Sequence, residues 1–178
     1  MGALLLTHLA ALVFYWLSPG YWAVKDLAAF AANGAADTLH QDFHRQRLAL
    51  RTGMAALVAL AASAPAWAHW GAFACSSGAL LAFGAAYFFY DFNPRLSGLR
   101  GLPAYYVSFD PNAAWFPDRW LARRTRTALP TYALADDAVL DANRRAYAAQ
   151  QLQQLGRWVL ETGALCYALL TVLAFVLL

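Results

Sequence analysis

Residues 52–90 read TGMAALVALAASAPAWAHWGAFACSSGALLAFGAAYFFY, 39 residues without a Lys, Arg, Asp or Glu, closed by Arg51 on one side and Asp91 on the other. A membrane-spanning helix takes roughly 20 apolar residues, at about 1.5 Å each. The stretch is too long for one such helix and about right for two. Pro65 interrupts it near the middle, within Ser63-Ala64-Pro65-Ala66, and Trp67, His69 and Trp70 follow. Proline lacks the backbone N–H a helix interior needs, and amphipathic rings favour the membrane interface. The stretch therefore predicts two spans, 53–68 and 71–90, joined by a turn at a membrane surface. The alternative is a re-entrant pair that does not cross, because the alanine-rich 53–68 is only weakly hydrophobic.

Two more blocks lie outside it. Gly2 to Val24 carries no charge, and Trp158 to Leu178 carries one carboxylate, Glu161. With 61% apolar and 13% charged residues, the chain departs from the roughly 45–50% and 25% of soluble domains. The sequence predicts an all-α, polytopic transmembrane helix bundle of one domain with four spans, 2–24, 53–68, 71–90 and 158–178. The first block lacks the basic start and cleavage site of a signal peptide and is expected to be retained. Cys75 and Cys166 fall inside apolar blocks and give neither a disulfide framework nor paired metal-ligand spacing.

Charge supplies a direction. All thirteen basic residues fall in two connections: Lys25, Arg45, Arg47 and Arg51 in one; Arg95, Arg100, Arg119, Arg123, Arg124, Arg126, Arg144, Arg145 and Arg157 in the other. Four alternating crossings put both connections on one side. The positive-inside rule then predicts cytoplasmic loops 25–52 and 91–157 and both termini outside; three spans would split the arginines across the membrane. Juxtamembrane arginines suit anionic lipid headgroups, at about 1 kcal/mol each. No stacking motif or recognised module supports nucleic acid.

Within the loops, Ser18-Pro19-Gly20 is expected to kink or end the first helix, leaving 22–33 as a short helix or turn along the surface until Asn33-Gly34 breaks it. Asp37 is a candidate N-cap for a helix running from about 38 through 68. Pro94, Pro103, Pro111 and Pro117 are expected to preclude a long helix between 91 and 117. Pro117 is placed to open a short amphipathic helix through about Thr127, with Trp120 and Leu121 turned to lipid. A last helix from Asp136 or Asp137 is expected to run straight into span four through Gln150–Gln154.

The pattern Tyr90-Asp91, Arg100-Gly101-Leu102-Pro103, Tyr105-Tyr106 and Asp118-Arg119 resembles small, uncharacterised multi-pass bacterial membrane proteins, some of them phage-linked. The resemblance covers roughly residues 85–120, with weaker likeness around His40 and His44. It implies a bacterial inner-membrane location and transfers no activity and no catalytic residues.

Few residues suggest chemistry. His40 and His44, spaced to share a helix face, join Asp91 and Glu161 as a candidate polar cluster on the cytoplasmic side. The Glu that follows the first His in zinc metalloproteases is absent, as are the Glu-x-x-His repeats of di-iron bundles, so no metal or other cofactor is expected. Glu161, about a turn into its span, is expected to pair with Arg157 or Arg51, or to line a pore or proton path. Arg119, Arg123, Arg124 and Arg126, with Trp115 and Trp120, are candidate lipid or partner contacts. Ala74, Gly78, Ala82 and Ala86 repeat every fourth residue, a packing signal for spans two and three or for a homo-oligomer. Bis-histidine haem is disfavoured by the different depths of His8 and His69. No Ser-His-Asp order, phosphate-cradling loop or nucleophile elbow occurs. Two readings follow: an oligomeric protein that forms or gates a pore, and a non-conducting scaffold or accessory subunit that docks a partner or anionic lipid.

Overall fold

The computed structural model of the chain describes residues 2–32, 41–109, 116–129 and 137–178. All regular structure among them is helical: α1 (Gly2–Ala32), α2 (Gln41–Ser63), a single 3₁₀ turn (Ala64–Ala66), α3 (Trp70–Leu99), α4 (Phe116–Ala128) and α5 (Asp137–Val176). Helices α1, α2, α3 and α5 are each long and apolar enough to cross a membrane, so the chain is a multi-pass membrane protein.

Helix α3 is the hub and packs against α1, α2 and α5, most extensively against α5. One end of the bundle holds the α2–α3 turn and both ends of the chain. There Leu4, Ala66, Ala72 and Phe73 form a buried cluster, with Phe175 against it. We call it the turn end, and the opposite one the arginine end. Trp67 and Trp70 are exposed at the turn end, and Trp158 is exposed towards the arginine end. Gly156 lies against Tyr90, which sets Trp158 near the level of Tyr90. Trp70 and Tyr90 are separated along α3 by about 30 Å, the thickness of a bilayer's hydrocarbon core.

The small residues sit where two backbones approach. A methyl group added at Gly163 would overlap Cβ of Ala86 and lie 3.1 Å from the Ala82 carbonyl oxygen. One at Gly78 would meet Leu170 at 3.6 Å. The stripe predicted to join spans two and three thus joins α3 to α5; Ala74, its first member, is exposed. Without a hydrophobic drive between helices in lipid, such proximity supplies the dispersion contact that holds them.

Two breaks expected from proline are absent. Helix α1 runs unbroken through Pro19 to Ala32, and Pro19, Trp22, Ala23, Asp26 and Phe30 are all buried. Packing on the neighbouring helices outweighs the roughly 3 kcal/mol that an interior proline costs. Helix α3 continues through Pro94. Its true stop is Gly101, at φ +68°. The amide of Leu102 donates to the Ser97 carbonyl at 2.9 Å and that of Gly101 to Gly98 at 3.1 Å, a complete Schellman motif. Helix α2, conversely, ends at Ser63 rather than running to 68, since Pro65 disfavours the α conformation in the residue before it. Asn33, Gly34 and Asp37 lie outside the described residues.

Both helices expected between 117 and 178 form. Helix α4 opens at Phe116-Pro117, and α5 runs 40 residues from Asp137 without a break. The extension of α5 below the membrane packs Ala148 and Leu152 against Val107 and Leu121, with Phe89, Tyr105 and Phe109 around them. Leu121, expected to face lipid, is 1% exposed in this cluster; the protein itself covers the apolar side of α4.

Replacing Gly163 by Val should push α5 off α3 and cost about 1–3 kcal/mol. Replacing Gly53 by Ala, where nothing lies within 4 Å of the added methyl, should be neutral or stabilise by up to about 1 kcal/mol. Unfolding of the purified protein in mixed micelles by rising dodecyl sulfate measures both. Equal destabilisation by the two changes would contradict the packing.

Candidate functional site

Polar groups gather at two levels of the bundle and on one outer platform. At the arginine end, Arg51 of α2 donates from Nη2 to Asp26 Oδ2 of α1 at 2.5 Å. The Asp26 side chain is 1% exposed and that of Arg51 13%. The guanidinium lies 5.2 Å from the Trp22 ring, 5.4 Å from Phe88 and 4.6 Å from Phe92. An ion pair withdrawn from water needs such compensation, because desolvating each ion costs several kcal/mol; ring faces are attractive partners for the cation. Asp26 Oδ1 and Arg51 Nε make no hydrogen bond among the described residues. The pair therefore ties α1, α2 and α3 through one contact and a set of rings.

Nearer the turn end, His8 is 4% exposed and uses both ring nitrogens. Nε2 lies 2.7 Å from Ser76 Oγ of α3, and Nδ1 lies 3.1 Å from Tyr167 Oη of α5. Ser76 Oγ is 2.7 Å from Ser63 Oγ of α2. One connected chain of polar groups thus draws a residue from every spanning helix. Beside it, Thr7 donates to the carbonyl of Ala62 at 2.5 Å. Lower in the bundle, Tyr15 donates to the Ala55 carbonyl at 2.9 Å, its ring filling the space left by Gly84.

The platform is α4. Arg119, Arg123, Arg124 and Arg126 are exposed, Trp120 is 40% exposed, and Arg124 stands 5.2 Å over the Trp120 ring. Leu121, Ala122 and Thr125 point the other way and are buried. Hydrogen bonds pin the platform: Arg126 donates to the Phe109 carbonyl at 3.2 Å, and Arg144 of α5 to the Leu129 carbonyl at 2.8 Å. Tyr105, on the segment that follows α3, has a left-handed φ of 59°, a costly conformation for an aromatic residue. Its contacts with the buried cluster hold it there. Burial, and then the neighbouring Tyr90, push the Tyr105 phenol above its ordinary value, with Arg157 opposing them.

The residues predicted as a polar cluster are engaged separately. Asp91 accepts from Arg95, one turn along α3, at 2.5 Å. Glu161 lies exposed on the outward face of α5. Arg51, one of its expected partners, is taken by Asp26. His40 and Trp115 lie outside the described residues, as does the side chain of His44. His8 and His69 are not brought together, since His69 is exposed at the turn.

Sequence reasoning missed Asp26 and the His8 chain. The signal was present: Leu4, His8, Ala11, Tyr15, Pro19, Trp22, Asp26 and Phe30 recur at three- and four-residue steps and are the buried face of α1. Ending the first span near Pro19-Gly20 cut that face in half.

Compared with known proteins, the chain matches no family model, no curated protein and no solved structure.

Removing one partner of the ion pair, by Asp26→Ala or Arg51→Ala, should cost about 3–5 kcal/mol, because the other charge stays buried. Replacing both, as Asp26→Leu with Arg51→Met, should recover most of that loss. A double variant no more stable than either single one would show that the pair acts through something other than mutual compensation.

Proposed function

We propose that this protein is a non-conducting membrane scaffold or accessory subunit of a bacterial inner membrane, whose arginine end faces the cytoplasm and docks anionic lipid headgroups. One observation carries the reading: four exposed arginines and a tryptophan fan out from α4, while the opposite face of that helix is clamped to α5. The clamp at Ala148 and Leu152 sets α4 about 9–15 Å beyond Trp158 along α5. Long guanidinium side chains reach headgroup phosphates from that height, and guanidinium matches phosphate geometry. The charge asymmetry along the chain supports the cytoplasmic orientation.

The pore reading loses ground on packing. Its small-residue stripe is used between α3 and α5 of one chain. The buried polar groups form discrete clusters at different depths rather than a continuous polar face. Glu161, exposed on α5, is the one observation that favours a second copy beside that helix.

Neutralising the platform by Arg119→Gln, Arg123→Gln, Arg124→Gln and Arg126→Gln together should abolish selective retention of anionic phospholipid. The measurement is native mass spectrometry of protein extracted from nanodiscs of mixed zwitterionic and anionic phospholipid. Retention by the wild-type protein should fall with ionic strength. Undiminished retention by the variant would refute headgroup docking at α4. A cysteine placed at Thr127 should resist impermeant reagents in intact cells, and labelling from outside would reverse the orientation. Purified protein in liposomes should pass no ions.

A further inference from the structure

The His8 chain contains more chemistry than helix attachment requires. Hydroxyl groups alone would clasp four helices at little cost, whereas histidine is the side chain whose ordinary titration falls between pH 5 and 8. Its surroundings are free of fixed charge: no Asp, Glu, Lys or Arg occurs in residues 2–24, 52–90 or 162–178. The groups that face the ring are Ser76 from α3, with Ser63 of α2 behind it, and Tyr167 from α5. Thr7, its neighbour on α1, is occupied with the carbonyls of Leu4 and Ala62. Towards the arginine end, Glu161 lies about 9 Å along α5 from Tyr167, Arg51 about 18 Å along α2 from Ser63, and Asp26 about 27 Å along α1 from His8.

One neutral form of the ring satisfies this chain as it stands. In it, Tyr167 donates to Nδ1, Nε2–H donates to Ser76, and Ser76 donates to Ser63. In the other every donor reverses: Ser63 donates to Ser76, Ser76 to Nε2, and Nδ1–H to Tyr167 Oη, which leaves the phenol proton seeking an acceptor. The imidazolium makes the same demand. Both its N–H groups donate, to Ser76 Oγ and Tyr167 Oη, Ser76 passes its own proton to Ser63, and the phenol proton must again go elsewhere. Thr171 meets that need. It lies one turn beyond Tyr167 on the same helix, a spacing at which side chains are neighbours, and its buried hydroxyl oxygen makes no hydrogen bond of ordinary geometry among the described residues. An orphaned buried hydroxyl costs free energy, and here it stands where the imidazolium, like the neutral ring protonated on Nδ1, would use it.

We propose that His8 is a proton-binding site, and that Ser63, Ser76, Tyr167 and Thr171 form the hydrogen-bonded relay that lets the bundle hold the proton. Protonation turns the Tyr167 hydroxyl from Nδ1 towards Thr171, so the change is felt on all four spanning helices.

The test is nitrogen NMR of the full chain in lipid nanodiscs, with histidine labelled and His8 assigned by the signals that His8→Gln removes. His69, exposed at the turn, is an internal reference. On acidification both His8 ring nitrogens should move together to imidazolium positions while the protein stays folded, and the Tyr167 ring signal should follow with the same midpoint. Thr171→Val should shift that midpoint by about one pH unit towards acid, Tyr167→Phe by at least as much, and Thr171→Ser by little. Thr171→Ser shows whether a folded protein keeps the effect when only the hydroxyl is retained. A His8 that stays neutral until the protein unfolds would overturn the proposal. So would a midpoint indifferent to Thr171→Val and Tyr167→Phe.

Discussion

In lipid, two helices gain nothing by excluding water from between them, so their attraction depends on how closely their backbones come together. The approach of α5 to α3 at Gly163, Ala82 and Ala86 leaves no room for even one added methyl, and the other contacts follow from it. With α5 seated there, Tyr167 comes within hydrogen-bond distance of His8 across the bundle, and Gly156 sits against Tyr90. On the other side of α3, Gly84 admits the ring of Tyr15, whose hydroxyl reaches α2. One helix flanked by small residues thus sets three interfaces.

Close packing explains the contacts but not their register. An alanine-rich interface can slide by a turn at small cost, because each turn offers much the same surface. The two buried polar centres remove that freedom. Asp26 and Arg51 fix α1 against α2 near one end; His8, Ser63, Ser76 and Tyr167 fix all four helices nearer the other. A slip of one turn would strand an ion or a histidine in apolar surroundings, a far larger penalty than the lost dispersion contact.

The four spans, the turn at Pro65 and the unbroken run of α5 were legible because each rests on one local signal: apolar length, a missing N–H, or uninterrupted helix-forming composition. The failures share a different cause. Pro19 and Pro94 read as breaks because a proline's cost is local while its compensation is tertiary. Pro19 is buried against neighbours that no window of sequence displays. The stripe of Ala and Gly on α3 announced close packing but not which helix would meet it, since α2 and α5 both offer small residues. Asp26 lies beyond the point where the first span was expected to end, so nothing marked it as buried until α1 was seen to continue past it. The arginines of α4 were legible as a group; what the sequence hid was that Leu121 turns inward, which makes α4 part of the fold rather than a helix floating on lipid.

That inward turn bears on how the two ends of the molecule relate. Membrane span and arginine-end extension of α5 are one helix of 40 residues, about 60 Å long. Helix α4 is clamped to the extension by Leu121, Ala148 and Leu152, and the chain returns to it through the fixed Schellman stop of α3. One continuous helix and the contact of Leu121 with Ala148 and Leu152 thus join the arginine platform to the packed spans. The contacts that seat α5 on α3 therefore also fix where the platform stands. Because the hydrocarbon core holds the spans at a fixed depth, the same contacts set the height of the arginines relative to the headgroups. Electrostatic attraction at a membrane surface decays within about 10 Å, so a displacement of a few ångströms alters it appreciably.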